Sequence, residues 1–520
     1  MLLRNHPSFS PRPGRTALFQ LVSRALRSFD LCGRQQAGVR HLGSRRNFLH
    51  SVAALAAAYA APIPTHAREM EPRIVVVGAG IAGLNAACVL RQAGFRATVY
   101  EASQRTGGRI RTSHDDIAPG LVTELGGEFI DSTHLDMLAL ASAFRLPLLD
   151  AGSGSERDLK TRFFFGGHGY SEGQVIAEFK PLAVRIAADA ARLSPEVTAR
   201  AHSRIDAQFD AISVSEYLHR IGATGWIVDL IDVAYTTEYG LDASELSSIN
   251  LLSMIGTATD DGFKVFGESD QRFKIQGGTQ RMTDELLVRV GQDVRLDHRL
   301  VSVRSKGRGF QLVFTTTGGT IPVEADWVIL AIPFTLLRQV ELVDGVPPVT
   351  RDAIQHLGYG TNAKIILGVG RRVWREHGYS GECYSDEEFQ TGWDASRLQA
   401  GSIGAYTCYL GGRAGMEIGA GTVEERTRGV LPALDRAFPG LANAHTGTSI
   451  RIHWPSEPFS LGAYSCFRPG QWTQFNGEIG RRAGNLLFAG EHCSTGFQGY
   501  MNGAAETGRL AAQTIIEALR

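Results

Sequence analysis

Apolar residues in this chain follow two kinds of pattern. The β-branched run at residues 73–77 has no polar alternation and reads as a buried parallel strand; the Ala/Leu-rich stretch after it reads as a helix. Residues 96–100 supply a second strand. Further along, strand patterns recur at 294–303, 310–316 and 326–332, and a strand-like run covers 364–369. Helical patterning marks 179–193, 226–233 and a closing segment over 507–519. Strands interleaved with helices predict an α/β fold built on a Rossmann-like parallel sheet.

Between the first strand and helix lie Gly78, Gly80 and Gly83, spaced as G-x-G-x-x-G. Glycine there permits a tight bend, lets backbone approach a pyrophosphate and lets the helix pack on the strand. A helix N-terminus then faces the phosphates. The second strand ends on Glu101, placed to accept a hydrogen bond from a ribose hydroxyl, which favours an adenosine diphosphate group without a 2′-phosphate. The glycines alone would fit any Gly-rich turn; strand, helix and acid in register make this a dinucleotide site. Next, paired glycines flanked by arginines at 105–112 can bring amides and guanidinium groups onto the same diphosphate.

Here the chain resembles the flavin amine oxidase family. The run 101–109, Glu-Ala-Ser-x-Arg-x-Gly-Gly-Arg, is similar to its second signature, and Glu124-Leu125-Gly126-Gly127 to the next. Further matches follow in order at 276–278, 325–333, Lys364, Trp454, 462–464, 488–491 and 499–504, so the resemblance spans about residues 72–520. It implies bound FAD, with Gly78, Gly80, Ala82, Gly83, Glu101, Ala102, Gly108, Arg109, Gly126, Gly127, Glu128, Leu300, Trp454, Glu491, Tyr500 and Met501 around it. It also implies two domains: FAD-binding segments 72–130, 268–341 and 447–520, and substrate-binding α+β segments 131–267 and 342–446, with the chain crossing repeatedly. About 450 residues likewise exceed one ordinary core.

The implied chemistry moves a hydride equivalent from an amine-bearing carbon to flavin N5, after which water hydrolyses the imine. Lys364 matches the lysine that reaches N5 through a water and assists reoxidation, and Trp374 stands in the usual downstream place; alone, Lys364 would read as a surface ion-pair lysine. Tyr464 and Tyr500 match the two aromatic walls that steer the amine, against a plain reading as core tyrosines. Ala463 stands where covalently flavinylated members place cysteine, and Cys466 is displaced by three residues along the strand, so non-covalent FAD is expected. A carbon–carbon desaturase and a non-catalytic flavoprotein are the competing classes. The acceptor is dioxygen or a redox protein.

For the substrate, two carboxylates, Glu128 and Asp131, with His134, would suit a second positive charge, as in a diamine or polyamine. The plain reading has Glu128 contacting FAD or backbone and Asp131 capping the next helix. An L-amino acid would need a carboxylate clamp; the arginine that L-amino acid oxidases of the family place soon after the Gly-Gly of the Glu124 motif is absent, and an arginine from elsewhere, Arg281 for instance, would have to supply it.

Residues 1–67 stand apart. Arg45-Arg46 within Ser44-Arg-Arg-Asn-Phe-Leu49, the small apolar stretch 52–61 and Thr65-His66-Ala67 read as a twin-arginine export signal cut near Ala67, implying a periplasmic or secreted enzyme. The Arg- and Ser-rich composition also fits a mitochondrial transit peptide. Of 53 basic and 53 acidic residues, nine arginines and Asp30 fall in this segment, so 44 and 52 remain, a difference of −8. That balance argues against a nucleic-acid partner. No apolar stretch reaches bilayer length, so no transmembrane anchor is expected; a homodimer stays open. Cys88, Cys383, Cys408, Cys466 and Cys493 lack metal spacing, and no metal is expected.

Overall fold

The computed structural model describes residues 72–260 and 262–520. The proposed export signal lies outside them. Five parallel strands form the first sheet, in the order Leu486–Phe488, Trp327–Leu330, Ile74–Val77, Ala97–Tyr100, Val294–Arg295. Strand alternation divides its residues between two cores. Ile74, Val76 and Ile329 pack with the helices Ile81–Gln92, Gln280–Val290 and Met501–Leu519, while Val75, Val77, Val328 and Leu330 face the opposite side. That opposite side is covered by an antiparallel sheet of Arg299–Lys306, Gly309–Thr316 and Gly319–Ala325. The sequence pattern at 294–303 thus covers two strands in separate sheets, because the chain turns through Asp297 at φ 61°.

Ile74–Val77 is central, with sequence-adjacent Ala97–Tyr100 on one side and distant Trp327–Leu330 on the other. Strand order reverses at its carboxyl end, where α/β sheets open a crevice for ligands. Gly78 lies at that end.

The second half is a mixed seven-stranded sheet ordered His445–His453, Ala363–Val369, Gly404–Leu410, Thr391–Asp394, Tyr379–Ser385, Lys160–Phe165, His168–Tyr170. Only Tyr379–Ser385 with Lys160–Phe165 pairs in parallel. Ile365 and Leu367 point into a core shared with the helix Val423–Ala437 and the buried Trp374, whose indole N–H donates to Asp394 at 3.1 Å. Alternation sends Lys364 to the other face, opposite Tyr409 in register.

Two boundaries differ from the sequence expectation. His445–His453 runs across the division drawn near 447 and is a full strand of the second sheet, since its backbone pairs with Ala363–Val369. The helix Leu135–Ala143, grouped with the substrate half, packs into the first core; Arg509 clamps Asp136 at 2.6 Å, and Asn502 accepts the Met137 amide. The helix pattern at 179–193 is the latter part of a longer helix, Glu172–Ala190, and that at 507–519 belongs to Met501–Leu519. All five cysteines among the described residues are free. No helix among these residues is long and apolar enough to cross a membrane.

Candidate active site

One cavity of about 1090 Å³ runs from the crevice at Gly78 to the exposed face of the second sheet. Its first part is a backbone cradle. Gly78 has φ +102°, and a Cβ there would meet the Ala331 carbonyl at 2.6 Å; beside Gly80 a Cβ would meet nothing within 4 Å, leaving room for a phosphate group. Ala82, Ala102 and Gly108 line the same stretch. Gly83, expected at the cofactor, does not line the cavity: its added Cβ would lie 1.9 Å from the Gly78 carbonyl, so its role is close packing of helix on turn. The Glu101 carboxylate lines the cavity and accepts the amides of Ala79 and Ser103 at 2.8 and 2.9 Å, which fixes it at the strand end. Leu300 lines the wall, followed by a bulge in its strand.

The middle of the cavity is braced by Glu491. Its oxygens accept from Arg109 at 2.9 Å, the Ser465 amide at 3.1 Å and hydroxyl at 2.7 Å, and the Gly499 amide at 2.9 Å. Burial alone would raise its carboxyl, but Arg109 and these donors outweigh it and hold it below the ordinary range. Glu491 therefore ties its own loop to the Arg109 and Ser465 segments, and Arg109 also donates to the Ala463 carbonyl at 2.7 Å. Gly126 and Gly127 pass equally close: Cβ atoms on them would meet the Arg109 carbonyl at 1.9 Å and Met501 Sδ at 2.5 Å. This extended, glycine-lined crevice with an acid at its ribose end fits the FAD implied by the sequence.

Trp454 and Ala463 pack together with Ile452 beneath the next section. Cys466 sits in the opposite core and does not line the cavity. Above them, Lys364 is buried, and its Nζ donates to the carbonyls of Glu124 and Gly126 at 2.9 Å each and to Glu128 Oε2 at 3.3 Å. The ammonium also lies 5.2 Å from the Trp393 ring centroid. Burial pulls the Lys364 ammonium below its ordinary value, opposed by Glu128 and Glu124. Burial likewise pushes Glu124 up to about 7.

Glu128 does not face the substrate as a free acid, contrary to the diamine-binding role considered for it. Lys274 pairs with its Oε1 at 2.8 Å, Lys364 with Oε2, and the Trp393 indole donates to Oε2 at 3.1 Å. Burial would raise this carboxyl, yet the two lysines hold it low. Asp131 does not cap the following helix, which begins after His134; it accepts the Gln271 amide at 2.9 Å, and its own amide donates to His134 Nδ1 at 3.1 Å. Burial lowers the His134 pKa, keeping the ring neutral. Arg281 is also excluded as a clamp: it lies off the cavity wall, with its guanidinium on the Gln276 carbonyl at 2.6 Å.

Tyr464 and Tyr500 both line the cavity near Lys364. The Tyr464 hydroxyl shares a 2.8 Å hydrogen bond with Tyr409 and donates to the Thr237 carbonyl at 3.2 Å; the Tyr500 hydroxyl donates to Glu238 at 2.7 Å. Burial raises the Tyr464 phenol well above its ordinary range, so it stays protonated. Lys274, Trp393, Tyr409 and Glu238 were not found from the sequence. No motif marks them, and Tyr409 comes beside Lys364 only through the pairing of two strands.

A family profile described as flavin containing amine oxidoreductase matches residues 81–516. The L-amino acid dehydrogenase of Synechocystis sp. is 26% identical over 464 residues, covering 85% of this chain and 94% of that protein. A flavin-containing amine oxidase of Danio rerio is 24% identical over 466 residues, 86% of each chain. Among solved structures, wild-type putrescine oxidase bound to putrescine superposes with a TM-score of 0.74 at 22% identity, over 86% of this chain and 99% of that one, which shows a shared fold.

Proposed function

The chain belongs to the flavin containing amine oxidoreductase family, whose chemistry is FAD-dependent amine oxidation, and we propose that this member deaminates an aliphatic amine, with a diamine or polyamine as the preferred class. The observation that carries this reading is that Tyr464 and Tyr500 line one cavity with buried Lys364 and the glycine cradle, and we read the two rings as the walls of an amine slot. Bound FAD would supply the acceptor for the hydride equivalent. The chain's own residues do the rest. The tyrosine rings would shield the amine nitrogen from water, and that desolvation favours its neutral form, whose lone pair supports the charge developing on the adjacent carbon. Glu128 and two carbonyls fix Lys364 Nζ, and its lowered pKa lets it hold or release a proton at that atom.

We further infer dioxygen as the acceptor, giving hydrogen peroxide, and non-covalent FAD, because Ala463 offers no thiol and Cys466 lies in another core. Export by the twin-arginine route is inferred from Arg45-Arg46 and the apolar stretch after them.

L-Amino acid oxidation is the second reading, favoured by the similarity to an L-amino acid dehydrogenase. Two of the cavity arginines weigh against it: Arg272 is bidentate on Asp150 at 2.7 and 2.8 Å, and Arg397 is held by Glu156 at 2.7 Å, which leaves Arg157, on the Gly152 carbonyl at 3.3 Å, as the arginine on that wall for a carboxylate clamp. Substrate-dependent bleaching of the flavin and turnover with an artificial electron acceptor, measured with butylamine, putrescine, spermidine, L-lysine and L-phenylalanine, test both. Turnover of the amines supports the proposal; turnover confined to the amino acids overturns it in favour of the second reading.

A further inference from the structure

We infer that Glu238 is the specificity residue for a second positive charge on the substrate, holding the distal ammonium of a diamine at the outer end of the tyrosine slot. This rests on the amine-oxidase reading above and names a residue that the sequence motifs do not reach.

Four observations support it. Glu238 lines the cavity, and its carboxylate accepts the Tyr500 hydroxyl at 2.7 Å, so the acid is fixed to one wall of the slot at the far end of the ring from its backbone. Its charge also bears on the phenols of Tyr384, Tyr409 and Tyr464, which places it among the aromatic walls rather than at the protein surface. The other acids first considered for the task are engaged: Glu128 by Lys274 and Lys364, and Asp131 by Gln271 and beside His134. Finally, Glu238 occupies the last turn of the helix Trp226–Tyr239, which ends on left-handed Gly240. A helix C-terminus carries partial negative charge, so it is an unfavourable place for a carboxylate and a favourable one for a cation. The next residue back, Thr237, adds its carbonyl, which takes the Tyr464 hydroxyl and the Asn362 amide. Glu238 therefore stands on the cavity wall, bonded to one of the two tyrosines and set in the last turn of the helix.

An ammonium there would form a charge-assisted hydrogen bond with Glu238 while the other nitrogen of the same molecule sits between Tyr464 and Tyr500. Spacer length between the nitrogens then becomes a selected quantity. Among the other acids on the wall, Glu382 is bonded to Tyr384 at 3.2 Å and to Thr161 at 2.9 Å, and serves as the comparison.

The test is kcat/KM of the flavin-loaded enzyme with 1,4-diaminobutane, 1,5-diaminopentane and butylamine. In Glu238→Gln the ratio for 1,4-diaminobutane over butylamine should fall about 10- to 100-fold, the loss expected for one charge-assisted contact. In Glu238→Asp, where the charge is kept but drawn back by one methylene, preference should move toward 1,5-diaminopentane, a shift that mere loss of packing would not produce. An unchanged ratio in Glu238→Gln overturns the inference, as does collapse of the ratio in Glu382→Gln instead. Wild-type enzyme that turns over butylamine but does not favour the diamine also overturns it, leaving the amine-oxidase reading intact. Failure with all three amines removes both.

Discussion

Lys364 and Glu128, 236 residues apart in the chain, meet at 3.3 Å inside the protein, each 4% exposed. The contact joins a strand of the second sheet to the Gly126-Gly127 segment that runs beside the helix of the first, so the two halves share one buried charge network. Lys274 completes it from a third segment.

Replacing Lys364 with Met should separate the two half-reactions. Return of the yellow colour on mixing reduced enzyme with air is expected to slow about 100-fold, the scale of a lost acid–base group, while bleaching by amine changes much less. Stopped-flow absorbance measures both; equal effects on the two phases would remove Lys364 from the oxygen step.

Glu128→Gln strips two buried ammonium groups of their shared counter-charge. Leaving them unpaired should cost about 3 kcal/mol of stability, and Lys274→Met should recover part of that loss in the double variant. Denaturant titration of the wild type, the two single variants and the double variant checks the coupling.

Glu124 gives a pH dependence of opposite sign to that of a paired acid. Its carboxyl is raised by burial from an ordinary 4.5 to about 7, so the folded state binds the proton more tightly than the unfolded one. Its contribution to stability is full below pH 4.5 and is lost as the pH rises to about 7. Thermal unfolding across that window should show a decline that is flatter in Glu124→Gln, where the proton can no longer leave.

Tyr500→Ala should lower amine kcat/KM about 10- to 100-fold by opening the slot, with flavin retained. Tyr464→Phe keeps the ring and loses only the bonds to Tyr409 and Thr237, a change of about 1 kcal/mol. Steady-state kinetics on flavin-loaded variants distinguishes a wall from a hydroxyl role.

What the sequence made legible was local. Gly78 and Gly80 follow from a strand, a turn and a helix in immediate succession, whereas Lys364 is reached through the family resemblance, since alone it reads as a surface ion-pair lysine. The diamine role weighed for Glu128 falls because its neutralising partner Lys274 comes from a strand across a long stretch of chain, and no pattern near either residue announces the pairing. Tyr409 and Trp393 are likewise assembled by strand order, which places Gly404–Leu410 and Thr391–Asp394 beside Ala363–Val369 only after folding. Glu238 lies at a helix end whose sequence carries no chemical signature. Gly83 shows the converse: the motif identified the residue, while its geometry assigns it to packing rather than to the cavity.

The central claim is tested most directly by mixing the purified yellow protein anaerobically with an aliphatic amine panel and following absorbance in the visible range. Bleaching by at least one amine, followed by recolouring in air with peroxide release, is the predicted result. A protein that binds FAD yet stays fully yellow with every amine offered would contradict the account.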